Sequence, residues 1–138
     1  MKKKLLLVED SIHDAGFTKH ALQACGLENA VVHAVDGAEG LQVLLDDPAI
    51  ALVLLDLKLP KVDGFEFLKI IRHDPRFVAL PVIVVTTSSI VADRTRAELL
   101  GANGFVTKAF DLNEFNALIA AAVGPYASML ASDAATIG

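Results

Sequence analysis

The sequence is poor in cysteine and in basic residues, and it lacks any long hydrophobic run. Its one cysteine, Cys25, cannot form a disulfide within the chain, which fits a reducing compartment. The net charge of −5 argues against nucleic acid as a partner, because binding it needs a basic surface. No apolar stretch approaches the roughly 20 residues that a membrane-spanning helix needs. We therefore expect a cytoplasmic protein that binds neither nucleic acid nor membrane.

Apolar runs typical of buried strands alternate five times with segments of helical periodicity. Hydrophobic residues make up 54% of the 138 residues, which is enough for a sizeable core. The predicted strands cover about residues 3–8, 30–35, 51–55, 82–85 and 104–106. Four predicted helices cover about residues 12–25, 38–45, 65–73 and 91–100. A fifth starts at Asp111, and its regular pattern is expected to stop at Gly124–Pro125, while the sequence leaves open whether residues 126–138 extend it.

Apolar residues at helical spacing predict which face of each helix is buried. Helix four has a weak apolar face and should be among the less firmly packed helices. The residues expected to be buried are Phe17, Ala21 and Ala24 in helix one, Leu41, Leu44 and Leu45 in helix two, Phe67, Leu68 and Ile71 in helix three, and Leu112, Phe115, Ile119 and Ala122 in helix five.

Alternating strands and helices imply a parallel sheet with helices on both faces and right-handed connections. Five such units predict an α/β fold with one doubly wound, flavodoxin-like sheet, for which the strand order 2-1-3-4-5 is common. We predict a single domain over residues 1–124, followed by a tail of residues 125–138 without a separate output domain.

Four of the predicted strands end in polar residues. Glu9 and Asp10 follow the first strand, Asp56 follows the third, Thr86 ends the fourth and Lys108 follows the fifth. Because ligands of such sheets bind at the carboxyl ends of the strands, these side chains are expected to meet at one edge. Three carboxylates in one place repel one another unless a cation is present. The pattern therefore predicts a site for magnesium and a phosphoryl group.

Magnesium prefers hard oxygen ligands and keeps several of its waters. Asp10 and Asp56 are the candidate direct ligands, and Glu9 is expected to act through water. The backbone carbonyl of Lys58, two residues after Asp56, can complete the set.

An aspartate carboxylate can attack a phosphoryl group to form an aspartyl phosphate. Catalysis of such a transfer consists mostly of positioning and charge neutralisation. Lys108 can neutralise one side of the phosphoryl group. The Thr86 hydroxyl, with a backbone N–H near Thr87, can bind a further oxygen.

Five motifs occur in order along the chain, each at a predicted strand end or in the loop that follows. They are Leu-Val-Glu-Asp at 7–10, Leu-Leu-Asp-Leu-Lys-Leu-Pro at 54–60, Asp-Gly at 63–64, Leu-Pro-Val-Ile-Val-Val-Thr at 80–86, and Gly-Ala-Asn-Gly-Phe-Val-Thr-Lys at 101–108. With this combination the chain resembles the receiver domain of two-component response regulators over about residues 3–123.

The resemblance implies that the chain is a phosphoacceptor rather than an enzyme, and that a sensor histidine kinase or a phosphotransfer protein supplies the phosphoryl group. The implied roles are phosphoacceptor for Asp56, Mg²⁺-binding acidic pair for Glu9 and Asp10, switch hydroxyl for Thr86, switch aromatic for Phe105 and phosphate-binding lysine for Lys108. Phosphorylation is then expected to draw Thr86 inward, to let Phe105 follow, and to change the surface of helix four, strand five and helix five.

The implied output is that of a stand-alone regulator, which acts by binding another protein, by relaying phosphate or by forming a homodimer. The segments Leu-Lys-Leu-Pro-Lys at 57–61 and Val-Val-Thr-Thr-Ser-Ser at 84–89 also resemble the regulators paired with bacterial phytochrome kinases.

Three residues depart from the family pattern. Ser11 stands where an asparagine or aspartate is common, and this change is expected to matter little. Ala109 stands where a proline with a cis peptide bond is usual, so the bond after Lys108 is either trans with a shifted loop or a costly cis bond. Phe105 lacks the hydroxyl of the tyrosine often found at its position.

Other readings of the same residues remain open. A Mg²⁺-dependent phosphatase with an aspartyl-phosphate intermediate is the alternative, although Lys58 stands where such enzymes place a second aspartate. A flavodoxin-like cofactor binder would need a phosphate-cradling loop where Glu9 and Asp10 stand. A receiver that never takes phosphate is opposed by the intact acidic residues. Asp14 and Asp63 are expected to be cap or turn residues, and the four histidines to be surface or packing residues.

Overall fold

The strand order and the two-sided helical layers of the sequence prediction are confirmed. The computed structural model describes residues 3–109 and 111–130. Its five parallel strands are β1 (Lys4–Val8), β2 (Val31–Ala34), β3 (Ile50–Leu55), β4 (Val82–Thr86) and β5 (Gly104–Thr107), in the order 2-1-3-4-5. The helices are α1 (Ile12–Ala24), α2 (Gly37–Asp46), α3 (Gly64–Arg72), α4 (Val91–Leu99) and α5 (Leu112–Leu130), with a short 3₁₀ helix at Glu28–Ala30.

The sheet separates two hydrophobic cores because successive side chains of a strand point to opposite faces. In β1, Leu5 and Leu7 join the core beneath α1 and α5, while Leu6 and Val8 join the core beneath α2 and α3. Each fully buried leucine contributes roughly 1.5–3 kcal/mol relative to an exposed one. No helix among the described residues is long and apolar enough to cross a bilayer.

Side-chain caps determine where four helices begin. The side-chain oxygens of Ser11, Asp36 and Asp63 each accept a hydrogen bond from the N–H three residues later, at 3.2, 2.7 and 2.9 Å. Asp111 accepts one from the N–H of Asn113 at 2.9 Å, as the predicted start of the last helix requires. Such a cap contributes about 1 kcal/mol. The expected capping role of Asp63 is thereby confirmed.

The predicted end of helix five at Gly124–Pro125 is wrong, because α5 continues to Leu130. A proline inside a helix removes one hydrogen bond and costs about 3 kcal/mol. Burial of Val123 and Leu130 on the core beneath α5 offsets that cost. The division into residues 1–124 and a tail of residues 125–138 stays a prediction, and residues 131–138 lie outside the described part of the chain.

The predicted buried faces are correct for helix three, wrong at two positions of helix one and wrong at one position each of helices two and five. Phe17, Leu45 and Leu112 are 48%, 50% and 44% exposed, and Ala24 is exposed as well. The spacing of apolar residues does not show how a helix is rotated against the sheet. For α1 the buried positions are Ala15, Thr18, Ala21 and Leu22.

Two glycines let the loop after β3 pack closely against its neighbours. A Cβ on Gly37 would overlap the carbonyl oxygen of Val62, and a Cβ on Gly64 would overlap the carbonyl oxygen of Asp56. The N–H of Gly64 also donates to the carbonyl of Leu57 at 2.9 Å. These contacts determine where the loop that follows Asp56 runs.

Gly64→Ala should lower the free energy of unfolding by about 1–3 kcal/mol, because the added methyl group forces the backbone of the β3–α3 loop apart. Gly16→Ala is the matched control: beyond the backbone of its own helix and its two chain neighbours, no atom lies within 4 Å of the added Cβ. That change should stabilise the protein by about 0.5–1 kcal/mol. Urea unfolding followed by circular dichroism measures both, and equal effects of the two variants would contradict the close packing.

Candidate functional site

The polar strand ends meet at the carboxyl edge of the sheet because the strands are parallel and in register. Val8 pairs with Leu55, so Glu9 and Asp56 follow directly opposite positions of β1 and β3. Thr86 pairs with Thr107, so Lys108 extends from β5 beside the end of β4. Glu9, Asp56 and Thr86 are buried, at 2%, 8% and 0% exposure, whereas Asp10 is exposed.

Lys108 connects the site through three ion pairs. Its Nζ lies 2.6 Å from Oε1 of Glu9, 2.9 Å from Oδ2 of Asp14 and 3.1 Å from Oδ2 of Asp56. An ammonium group has three N–H donors, so each donor has one carboxylate acceptor. Only 11% of the lysine side chain is exposed. Loss of one partner in such a shielded arrangement leaves the remaining charges uncompensated.

Asp14 is the residue at this site that the sequence analysis missed, because a cap or turn role was expected for it. Its N–H does donate to the Ser11 Oγ in the first turn of α1, while its carboxylate pairs with Lys108. One signal was available in the sequence. Asp14 lies in the first turn of a helix that begins directly after the first strand, so it stays near the edge where Asp10 lies.

Glu9, Asp10 and Asp56 form a group of carboxylates in which one oxygen from each lies within 4.8 Å of the other two. Together with Asp14 they bring four carboxylates against the one ammonium of Lys108. This donor set of hard oxygens carries surplus negative charge, so it fits a small divalent cation. The N–H of Lys58 donates to Oδ1 of Asp56 at 3.3 Å, and the role of its carbonyl as a metal ligand stays a prediction.

Burial and ion pairing shift the pKa values of Glu9 and Lys108. Burial is the main reason that the pKa of Glu9 is raised to about 7; the hydrogen bond from Lys108 opposes this rise, and the charge of Asp56 adds to it. Burial alone would lower the pKa of Lys108, but the hydrogen bonds to Glu9 and Asp14 and the charge of Asp56 raise it above its ordinary value. Lys108 is therefore a permanent cation. The positive charge around Glu9 is too small to offset the effect of burial on its pKa.

The predicted switch residues lie on the neighbouring strands β4 and β5. Thr86 is fully buried, and its Oγ1 accepts a long hydrogen bond of 3.4 Å from the N–H of Ser88. The Ser88 hydroxyl donates to Oδ2 of Asp93 in α4 at 2.6 Å. Phe105 is half-buried, and the guanidinium of Arg94 lies 5.7 Å from its ring centre. Two hydrogen bonds, one of them long, thus connect Thr86 at the strand edge through Ser88 to Asp93 in α4.

The peptide bond between Lys108 and Ala109 is trans, which decides between the two alternatives left open by the sequence. The N–H of Lys108 donates to the carbonyl of Thr86 at 2.7 Å, and this bond holds the backbone at the end of β5. Ala109 packs against the core beneath α5. With alanine at this position, the lysine side chain still reaches Asp56.

One histidine contacts the site. A ring nitrogen of His33, on β2, lies 2.8 Å from the backbone carbonyl oxygen of Glu9. His13, His20 and His73 are exposed. The prediction of surface or packing roles fits those three. His33 reaches Glu9 only because β2 pairs with β1, and the sequence spacing of the histidines does not show that contact. Cys25 is half-buried and packs against the core beneath α1.

Three comparisons relate this arrangement to known proteins. Residues 5–120 match the family described as the response regulator receiver domain. The chain is 32% identical over 123 residues to the probable chemotaxis protein CheY of Rhizobium etli, covering 89% of this chain and 94% of that protein. The crystal structure of the Mn(2+)-bound form of response regulator Rcp1 has a TM-score of 0.80 at 30% identity, covering 90% of this chain and 94% of that one.

The phosphorylated cyanobacterial phytochrome response regulator RcpA also has a TM-score of 0.80, at 31% identity and with 96% of both chains covered. The chain spans about half the length of other curated relatives that it matches. The matched range contains Lys108 and the group of carboxylates formed by Glu9, Asp10 and Asp56. The chain therefore belongs to the response regulator receiver domain family, whose members are phosphorylated on an aspartate in two-component signalling.

Proposed function

We propose that Asp56 accepts a phosphoryl group from a phosphohistidine of a sensor histidine kinase or a phosphotransfer protein. The observation that carries this proposal is the buried Asp56 carboxylate with one oxygen 3.1 Å from the Nζ of Lys108. Asp56 also belongs to the group with Glu9 and Asp10. A nucleophile held beside a fixed cation is positioned for transfer, because little reorganisation is needed when charge shifts to the phosphoryl oxygens.

In the proposed step, a carboxylate oxygen of Asp56 forms a bond to phosphorus while the bond from phosphorus to the imidazole nitrogen breaks. The electron pair of the broken bond stays on the nitrogen. Lys108 remains beside Asp56 and pairs with a phosphoryl oxygen in place of the carboxylate. The chain assists its own phosphorylation and dephosphorylation and turns over no separate substrate.

The proposed cofactor is Mg²⁺, held by Glu9, Asp10, Asp56 and the backbone carbonyl of Lys58. When bound, it supplies positive charge to the phosphoryl oxygens. The surplus of carboxylates over ammonium groups supports a divalent cation here. A relative with the same fold is described as Mn(2+)-bound, which supports an ion of this class.

We further propose that phosphorylation switches the surface formed by α4, β5 and α5. The Thr86 hydroxyl would move toward the phosphoryl group and Phe105 would turn inward. Support comes from α4 itself, in which only Ala97 is buried. Ile90, Val91 and Leu99 are 62%, 77% and 83% exposed, so a partner could cover them after the switch. The occurrence of a phytochrome response regulator among the similar structures supports a phytochrome-type kinase as the phosphoryl source.

Wild-type protein incubated with Mg²⁺ and a small phosphodonor should gain the mass of one phosphoryl group. Asp56→Asn should gain none, because its amide is not a nucleophile for phosphorus. Asp63→Asn is the matched control, since Asp63 caps α3 in the adjacent loop, and it should be phosphorylated like the wild type. Intact mass spectrometry measures all three. A wild type that takes no phosphoryl group and binds no beryllofluoride mimic would refute the proposal.

Lys108→Ala should lower the free energy of unfolding at pH 8 by about 3 kcal/mol, because its carboxylate partners lose their shared cation. At that pH Glu9 of the wild type is mostly charged, since burial raises its pKa to about 7 while Lys108 is in place. Saturating Mg²⁺ should restore much of the loss. Lys61→Ala, which removes an exposed ion pair with Asp36, should change little. Urea unfolding with and without Mg²⁺ measures this, and a variant as stable as the wild type without Mg²⁺ would contradict it.

Arg94→Ala should shift the Phe105 ring away from its half-buried orientation by about two- to fivefold, because the cation–π contact that favours this orientation contributes about 0.5–1 kcal/mol. Glu98→Ala is the control: it removes the Arg94–Glu98 ion pair but keeps the guanidinium over the ring. Fluorine NMR of fluorophenylalanine-labelled protein reports the ring populations. Identical spectra for Arg94→Ala and the wild type would exclude this role of the contact.

A further inference from the structure

The three carboxylates that pair with Lys108 differ in their other partners. Glu9 and Asp56 also belong, with Asp10, to the group in which one oxygen from each carboxylate lies within 4.8 Å of the other two. Asp56 is in addition the proposed phosphoacceptor. Asp14 is absent from that group, and Lys108 is the charged partner of its carboxylate among the described residues. Asp14 is therefore the partner of Lys108 that can stay in place while the other two change theirs.

The position of Asp14 is held by the backbone of α1. Its N–H donates to the Ser11 Oγ at 3.2 Å, and Ser11 is the residue that caps the helix. Its side chain is 34% exposed, compared with 3% for Glu9. The pair of Asp14 with Lys108 thus keeps contact with water, and it does not rely on the buried side of the site.

Lysine needs such an anchor at this edge. Its ammonium is a point charge on a flexible four-carbon stem, and its direction is set by the acceptors around it. Lys108 and Asp14 line the same cavity of about 690 Å³, which extends to Phe17 and Leu112. Without the Asp14 carboxylate, the ammonium could turn into this cavity whenever Asp56 no longer accepts its hydrogen bond.

We propose that Asp14 is a positioning residue for Lys108: it holds the ammonium at the strand edge while Asp56 exchanges a free carboxylate for a phosphoryl group. The inference rests on the proposed function of Asp56. Because one donor of Lys108 stays on Asp14, the lysine needs to redirect only the donor that meets the phosphoryl oxygen. A misplacement of about 1 Å can cost about two orders of magnitude in rate, so this anchoring matters for the transfer step.

The first test follows the ammonium directly, by NMR of protein labelled with ¹⁵N-lysine, with and without Mg²⁺. The wild type should show a slowly exchanging Lys108 ammonium signal in both conditions. Asp14→Ala should lose it, and Asp14→Asn should keep it because the amide oxygen still accepts a hydrogen bond. Glu66→Gln is the control, since it removes an acidic side chain from the first turn of α3, away from Lys108.

The second test measures phosphorylation by a small phosphodonor with Mg²⁺. Asp14→Ala should lower the rate at saturating donor by about tenfold with little change in KM, and Asp14→Asn should recover most of it. In a Lys108→Ala background, Asp14→Ala should have no further effect. Glu66→Gln should match the wild type.

Three results would overturn the positioning role. One is an equal effect of Asp14→Ala with and without Lys108, which would indicate a contribution to α1 alone. Another is a faster reaction of Asp14→Ala, which would indicate competition with the phosphoryl group. The third is an unchanged ammonium signal. If the wild type takes no phosphoryl group, the proposed function fails, whereas the ammonium signal still decides the role of Asp14.

Discussion

The shielded ammonium of Lys108 among three carboxylates is the interaction on which the rest of the site depends. Like charges cannot be held this close without a cation between them, and Lys108 supplies it from a distant part of the chain. The parallel register places Glu9 and Asp56 side by side and brings Lys108 to them. Ser11 and Asp63 begin the helices that follow two of these strands, so the caps also help to define the site.

Negative charge exceeds positive charge at this edge, because four carboxylates face the ammonium of Lys108. This surplus of negative charge favours added positive charge at the site. Thr86 and Ser88 connect it to Asp93 in α4 through hydrogen bonds. In α4 only Ala97 is buried and several large apolar side chains are exposed, so few buried apolar contacts hold this helix in place.

The sequence predicted those features of the fold and site that depend on local or periodic patterns of residues. Continuous apolar runs indicated the strands, and the polar residues at their ends indicated the site, since parallel strands share one carboxyl edge. Prediction failed where packing overrides local preference. Pro125 was taken as a stop, yet burial of Val123 and Leu130 carries α5 past it. Phe17 was assigned to the core, yet the rotation of α1 leaves it half exposed.

By itself, the sequence determined the order of elements, the residue types at each strand end and the chemistry that they can support. These properties follow from alternation, spacing and side-chain functional groups. Only the tertiary structure decided that Asp14 shares Lys108 with Glu9 and Asp56, and that a trans bond before Ala109 still allows this. Asp14 and Lys108 are 94 residues apart in the chain, and no local pattern encodes a contact that arises when α1 and β5 pack against the same edge.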